Sequence, residues 1–329
     1  MSARRLLVLF GQRGGFNEAA LTGAARAEQA GQRLEVHWIA DAQAREHALR
    51  ALCASSPDLV IVHGGQGDVP VSAVAKDFPG TQFAITQGSH VAGNVASYEI
   101  LQEHTAFLAG ILAALRAGDG AAAHLSGERV RPGLKGRAAY ADGVQRISGR
   151  DPLTGFCGNQ HDPELAGRWG QAMMAQGARV IFAMLDAGRP GLSAACRQAG
   201  VWQIGNVVDW VARDPQVFLA SALADSGLCV QRAAADHAAA RLATGRLTTF
   251  GLEHAQALRL VLGPEVSAAE RAALDEWSAR LSQGRISLAQ DYVGPEFSPV
   301  SEALSEETRR YNEAGFFSPP GCWLPGLSR

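Results

Sequence analysis

Residues Asn94–Gly118 read NVASYEILQEHTAFLAGILAALRAG. The first seven, NVASYEI, alternate β-branched or aromatic residues with others and predict a strand end or bridging loop. From His104 onward the segment is apolar on nearly every side, the pattern of a helix buried all round. Ala106, Ala109, Gly110, Ala113 and Ala114 are small enough to let a sheet backbone approach closely. Thr105 suits the helix start as a cap, Arg116 suits the negative end of its dipole, and Gly118 is a natural stop.

Working outward towards the N-terminus, strands and helices alternate strictly. Leu6–Phe10 is a continuous apolar run, as expected of a parallel strand covered on both faces. A Gly-rich turn, Gly11–Gly15, leads into a helix over Asn17–Gln29. Strands are predicted at Leu34–Ile39, Asp58–Val62 and Gln82–Thr86, with helices at Ala42–Cys53 and Val71–Phe78 between them. Beyond Gly118 the pattern restarts. Strands are expected at Ala121–Leu125, Leu153–Cys157, Arg179–Leu185, Trp202–Gly205 and Val217–Ala222, separated by helices over Lys135–Arg146, Pro163–Gln176 and Gly191–Ala199. A long helix over Ser226–Thr244, two short strands and a helix over Ser267–Gln283 follow. Two such sets predict an α/β protein of two Rossmann-like lobes.

The 329 residues suit two domains rather than one, and 47% apolar composition supplies the cores. A net charge of −2 argues against nucleic acid or an anionic membrane as partner. The five cysteines Cys53, Cys157, Cys196, Cys229 and Cys322 are scattered without CxxC spacing, so buried free thiols are expected. No apolar run is long enough for a membrane span. Arg4-Arg5 before Leu6–Phe10 mimics a signal peptide, but the run is too short for one. A cytoplasmic chain as written, or an envelope protein whose leader was trimmed, both fit.

Candidate functional residues lie where predicted strands end, because open α/β sheets bind ligands there. Phe16 and Asn17 follow the first Gly-rich turn: a ring that stacks on a flat ligand, and an amide that both donates and accepts. The turn is neither GxGxxG nor a P-loop. His63-Gly64-Gly65-Gln66-Gly67-Asp68 follows the third strand, with Gln66 and Asp68 available to the same cleft. Asp186 and Asp209 stand just beyond strands of the second lobe, where a carboxylate accepts from ligand hydroxyls or caps a turn. No catalytic motif, metal-ligand spacing or cofactor fingerprint is present, so no cofactor and no metal are expected.

Four stretches resemble one family: NVASYEILQEHTAFLAGILAAL, PDLVIVHGGQGDVPVSAVAKDFPGTQFAIT, GARVIFAMLDAGRPGLSAACRQAGVWQIGNVVDW and TTFGLEHAQALRLVLG. In order and spacing they resemble the basic membrane protein family of substrate-binding proteins, the purine-nucleoside-receptor type, from about Leu6 to Gly284. The resemblance implies a type I periplasmic-binding-protein fold whose lobes are joined by three crossovers. These are expected near Gly118–Gly120, Asp214–Ala222 and Gly245–Phe250. The first lobe would comprise residues 1–118 and 223–246, the second 119–214 and 250–284, with 285–329 an irregular extension available for a homodimer contact. The resemblance makes Phe16 and Phe182 a stacking pair around the ligand and Asp209 a carboxylate for sugar hydroxyls. Gln87 stands in place of an Asp, and Asp186-Ala187-Gly188-Arg189 in place of a Gly-Gly-Thr-Gly loop. The implied function is capture of a nucleoside, nucleobase or other flat polar solute for an ABC-type permease. A cytoplasmic sensor on the same fold is the alternative. A hydrolase using Asp186, Asp209 or His63 is the third reading.

Overall fold

The computed structural model describes residues 6–10 as backbone, and residues 15–41 and 43–299. The turn Gly11–Gly14, Cys322 and the aromatics Phe316, Phe317 and Trp323 fall outside them. The strands of the first sheet are β1 (Leu6–Phe10), β2 (Leu34–Trp38), β3 (Leu59–His63), β4 (Gln82–Thr86), β5 (Val95–Ile100) and β11 (Leu247–Phe250). They lie in the order β11-β5-β4-β3-β1-β2, with every pairing parallel. Within NVASYEI, Val95–Ile100 is thus a fully buried strand rather than a strand end or bridging loop.

The second sheet contains β6 (Ala121–Ser126), β7 (Leu153–Phe156), β8 (Ala178–Met184), β9 (Trp202–Val207), β10 (Phe218–Ala224) and β12 (Leu258–Leu262). Its order is β12-β10-β9-β8-β6-β7, with β12 antiparallel at the edge. Each parallel sheet has an apolar core on both faces. Helices α1 (Gly15–Gln29) and α8 (Ser226–Ala238) cover one face of the first sheet. Helices α2 (Ala44–Cys53) and α3 (Asp68–Val74) cover the other. In the second lobe, α4 (Gln102–Ala117) and α5 (Arg131–Ser148) lie on one face, with α9 (Ala268–Ser282) against α4. Helices α6 (Pro163–Ala175) and α7 (Arg189–Ala199) lie on the opposite face. This is the two-lobed, type I periplasmic-binding-protein architecture.

The lobe boundaries differ from the expectation. Helix α4 packs on β8, β10, β6 and α5, so it belongs to the second lobe although β5 belongs to the first. The first crossover is therefore Leu101, not Gly118–Gly120. Gly118 merely ends the helix in a positive-φ conformation. The second crossover is Asp225, between β10 and α8, and the third is the segment 251–257 between β11 and β12. Leu101 donates its amide to the Phe250 carbonyl at 2.9 Å, and Asp225 donates to Ala257 at 2.8 Å, which ties the crossovers together. Helix α8 ends at Ala238, six residues before the expected Thr244.

Twelve of the sixteen residues of α4 are buried, as its sequence required. Its small residues serve a second neighbour besides the expected sheet. They admit the backbone of α5 as well as the sheet: a Cβ on Gly110 would lie 2.1 Å from the Tyr140 carbonyl oxygen, and one on Gly143 2.3 Å from that of Phe107. Thr105 does not cap the helix; Leu101 is the capping position, and the Thr105 hydroxyl donates to the Gln102 carbonyl. Arg116 at the helix end forms a two-pronged ion pair with Glu270 of α9. By contrast, Asp162 does cap α6, accepting from the Glu164 and Leu165 amides.

Residues 285–299 run along the second lobe. Phe297 donates its amide to Thr154 at 2.7 Å and sets its ring against Trp169, 5.9 Å between centroids. Among the described residues no helix is long and apolar enough to cross a membrane.

The α4–α5 crossing predicts that Gly110→Val destabilises the fold by roughly 2–3 kcal/mol through overpacking, visible as a melting temperature lowered by several degrees. An unchanged melt would mean that the two helix backbones are not in contact.

Candidate functional site

In both lobes the polar, irregular segments follow the carboxyl ends of the strands, and these ends face each other. Two contacts establish this. The Gly15 amide, first in α1, donates to Asp186 Oδ1 beyond β8 at 2.8 Å. Glu99, near the end of β5, pairs with Arg131 at the start of α5, and Lys135 Nζ lies 3.4 Å from the same carboxylate. Lys135 also pairs with Glu103. The rims of the two sheets therefore meet across one cleft, with the crossovers at one side.

On the first-lobe rim, Phe16 stacks on His63, with ring centroids 4.6 Å apart and planes 29° from parallel. His63 Nδ1 pairs with the Thr86 hydroxyl at 2.6 Å. Burial holds the imidazole down at about 3, so the ring is neutral at physiological pH. The Phe16–His63 pair is thus an uncharged aromatic surface, and Phe16 remains partly exposed. Asn17 follows it in α1 and is also partly exposed. Gln66 is exposed in a short 3-10 turn, folded back so that its Oε1 lies beside Gly64. Gly64 holds a φ of 96°, a conformation open to glycine, and lies beside the Phe16 ring.

The structure moves two expected residues away from the cleft. Phe182 lies in the interior of the second lobe, 1% exposed, stacked on Tyr140 at 5.3 Å and 5.9 Å from His124. The reason is strand parity. Val180, Phe182 and Met184 share the face of β8 that meets α4 and α5, while Ile181 and Ala183 face α6 and α7. Gln87, just past β4, is 3% exposed and turned into the first lobe. Its amide nitrogen reaches Cys229 Sγ of α8 at 3.6 Å, and its Oε1 accepts from the Ile100 amide at 3.4 Å. A left-handed φ of 64° at Gln87 redirects the chain there.

Asp186 and Asp209 remain on the second-lobe rim, both partly exposed. Asp209 Oδ1 accepts from the Ala212 amide at 3.0 Å, so one oxygen caps its own turn. Asp186 is held from behind by Gln160, whose carbonyl accepts from the Asp186 amide at 3.0 Å and the Gly188 amide at 2.9 Å. The Gln160 side chain accepts from the Glu128 amide at 3.1 Å, joining the loop after β6 to the same brace.

Several functional neighbours were not among the sequence candidates. His63 was read as a loop residue and, in the hydrolase reading, as a reacting group; its service as a backing ring for Phe16 depends on a contact between different loops. Arg189 is 1% exposed. Its Nη2 donates to Leu185 at 2.7 Å, to Ala183 at 3.2 Å and to Asn206 Oδ1, with the guanidinium 4.6 Å from the Trp210 ring. Burial lowers its pKa to about 9, and Asp186 opposes that shift, so it stays cationic. Glu99 could have been noticed: a carboxylate in the otherwise apolar VASYEI strand demands a buried cation.

The four described cysteines are free and buried. Burial pushes the thiols of Cys53 and Cys157 up to about 11 and that of Cys196 to about 12, and raises Cys229 as well. Among the described residues no cluster of His, Cys, Asp or Glu could hold a metal ion. A hollow of about 220 Å³ lined by Ala117, Gly120, Val144 and Asp151 sits at the opposite end of the second sheet, where β6 begins.

The sequence model of a family described as ABC transporter substrate-binding protein, PnrA-like, matches residues 14–282. A search of curated proteins returned no match. Among solved structures, an ABC transporter solute-binding protein from Aeropyrum pernix K1 is similar at 24% identity and a TM-score of 0.77, covering 94% of this chain and 98% of that one. A solute-binding protein from Conexibacter woesei DSM 14684 is 22% identical with a TM-score of 0.68, covering 88% and 99%. A structure described as a transcriptional activator of the comK gene from Bacillus halodurans is 16% identical with a TM-score of 0.73, covering 85% and 98%. These likenesses support the fold.

Two predictions follow from the buried rings. Phe182→Ala should cost roughly 3–5 kcal/mol of stability, read by urea unfolding; a loss below 1 kcal/mol would place the ring outside the core. His124 is fully buried and bonded on both nitrogens, to Thr154 at 2.8 Å and Ser126 at 2.9 Å. Burial lowers its pKa from 6.5 to about 3. The unfolded chain therefore binds this proton first as pH falls. The contribution of neutral His124 is complete above pH ~6.5 and erodes between ~6.5 and ~3, on the order of 2 kcal/mol by pH 5. Unfolding free energies at pH 7 and pH 5, compared with His124→Gln, measure it; an equal drop in the variant assigns the loss elsewhere.

Proposed function

The chain belongs to the PnrA-like family of ABC transporter substrate-binding proteins, and from that membership we propose a non-enzymatic receptor for a small, flat, polar solute, a nucleoside or nucleobase, delivered to a permease. The observation that carries the ligand class is the Phe16–His63 stack on the cleft rim, in the same turn of α1 as the amide that meets Asp186. A neutral aromatic surface backed by a second ring favours a planar guest, and face-on contact is worth ~0.5–1.5 kcal/mol beyond area burial. The opposite rim offers a carboxylate at Asp186, and Asp209 stands on the same rim; both suit ring nitrogens or hydroxyls.

The expected clamp of two rings becomes a platform in one lobe facing polar groups in the other, because Phe182 is in the core. Ser126 Oγ and His124 Nε2 have the separation of a hydroxyl and its base, but they are 1% and 0% exposed, inside the second lobe. His63 is committed to Thr86 and to the Phe16 ring. These observations support binding over hydrolysis.

Calorimetry against adenosine, inosine, guanosine, cytidine and the free purine bases is expected to yield at least one saturable ligand. Phe16→Ala should weaken it about 5- to 10-fold, the equivalent of ~1–1.4 kcal/mol, with a melting temperature within about 2 °C of the parent. Unchanged affinity would remove Phe16 from the ligand contact, and no binding across the panel would overturn the ligand class.

A further inference from the structure

Asp186 occupies a position with an unusual charge balance. The first turn of a helix leaves backbone N–H groups without intrahelical partners and carries the positive end of the dipole, so it attracts anions. At α1 that place is taken by a side chain from the other lobe: Asp186 Oδ1 accepts from the Gly15 amide at 2.8 Å. The approach is close enough that a Cβ at residue 15 would lie 2.4 Å from the same oxygen. Gln160 fixes the loop that presents the carboxylate, accepting from the amides on both sides of Ala187.

A second positive group lies in the same loop. Arg189 is 1% exposed, and among the described residues its Nε and Nη1 have no hydrogen-bond partner. Asp186 is the acidic group whose charge acts on it, with Arg213 opposing. One carboxylate therefore stands between a helix N-terminus and a buried guanidinium. A phosphate or carboxylate brought to this end of the cleft would meet Asp186 at hydrogen-bond range, and like charges so placed cost several kcal/mol.

We propose that Asp186 is a charge filter: by filling the N-terminus of α1 from the opposite lobe, it rejects solutes carrying an anionic group at that end and restricts the receptor to uncharged members of its ligand class. Specificity then comes partly from a repulsive element, as discrimination between close analogues commonly requires. The identification of those members as nucleosides or bases rests on the function proposed above. The filter itself rests on the interlobe contact and the charges around it.

The test uses the full chain, Asp186→Asn and Asp186→Ala, each verified by a cooperative melt, and has two arms. In the first, calorimetry compares a purine nucleoside with its monophosphate. The parent should prefer the nucleoside at least ~30-fold, and the variants should reduce that preference at least ~10-fold. A parent that binds both equally, or an unchanged ratio in both variants, overturns the filter. The second arm uses sulfate alone. At ~50 mM, either variant should gain about 3 °C or more of melting temperature beyond the gain of the parent, which carries the general salting effect. No excess gain in either variant overturns the filter. Should the parent bind neither nucleoside nor monophosphate, the ligand class fails on its own, and the sulfate arm alone decides the filter.

Discussion

A parallel sheet in an α/β protein must be covered on both faces, and this constraint sets where chemistry can reside. Each sheet here has an apolar core above and another below. A side chain within a strand is consequently committed to one core or the other, whatever its chemical capability. His124 in β6 illustrates the outcome: its imidazole is a functional group, and it is sealed in the second lobe at 0% exposure. Polar groups that can meet a solute are left to the edge where strands stop. Phe16, Gln66, Asp186 and Asp209 all stand on that edge. So does Val207 at the end of β9, a β-branched residue with a φ of 69°. Backbone strain of that kind concentrates at binding rims, where the chain must turn sharply away from the sheet.

The same constraint explains which parts of the molecule were legible in the sequence. Alternation of apolar runs with amphipathic segments gave the strands and helices, since the two periods differ plainly. The buried helix α4 was equally clear, because no solvent-facing stripe exists in it. Its lobe was not legible. Nothing local distinguishes a helix that packs on the sheet just completed from one that packs on the sheet about to form, and the chain crosses at Leu101 rather than at the conspicuous Gly118. Phe182 failed for a related reason. Strand parity was readable, but which face of β8 meets which helices depends on α4 and α5, which end 34 or more residues before Phe182 in the chain. The rim residues Phe16, Asn17 and Asp186 were found because position beyond a strand end is a sequence property. Their pairing with His63, Gln160 and Gly15 was not, because each meets its mate through a long-range contact.

The two polar links across the cleft differ in mechanical position. Glu99 leaves the first lobe on β5, next to the edge strand β11 and just before the crossover Leu101. Gly15 begins the helix after β1, three strands further along the sheet. At ~4.8 Å per strand that is about 14 Å more of lever arm. A rotation about the crossovers that barely strains the Glu99–Arg131–Lys135 cluster would separate Gly15 from Asp186 by several ångströms. Truncating one member of such a part-buried cluster leaves an unpaired charge, so the arrangement resists change near the axis. The Gly15–Asp186 bond is one charge-assisted hydrogen bond in a partly solvated place, strong enough to fix geometry and weak enough to break. The lobes are thus joined firmly where motion is small and lightly where it is large.

This division also determines how a solute is read. The first lobe offers an apolar aromatic face, and the second offers Asp186, braced by Gln160, and Asp209, tied to its own turn. Under the function proposed above, a planar guest stacks on Phe16 of the first lobe and meets Asp186 only where the two rims touch. The aromatic contact and the polar contact then come from different lobes. A guest that satisfies the rim adds its hydrogen bonds to the Gly15–Asp186 contact, and one that does not must break that contact to stay. Discrimination arises from the difference between those two closed states, and the energy available for it is set by groups belonging to the protein before any ligand arrives.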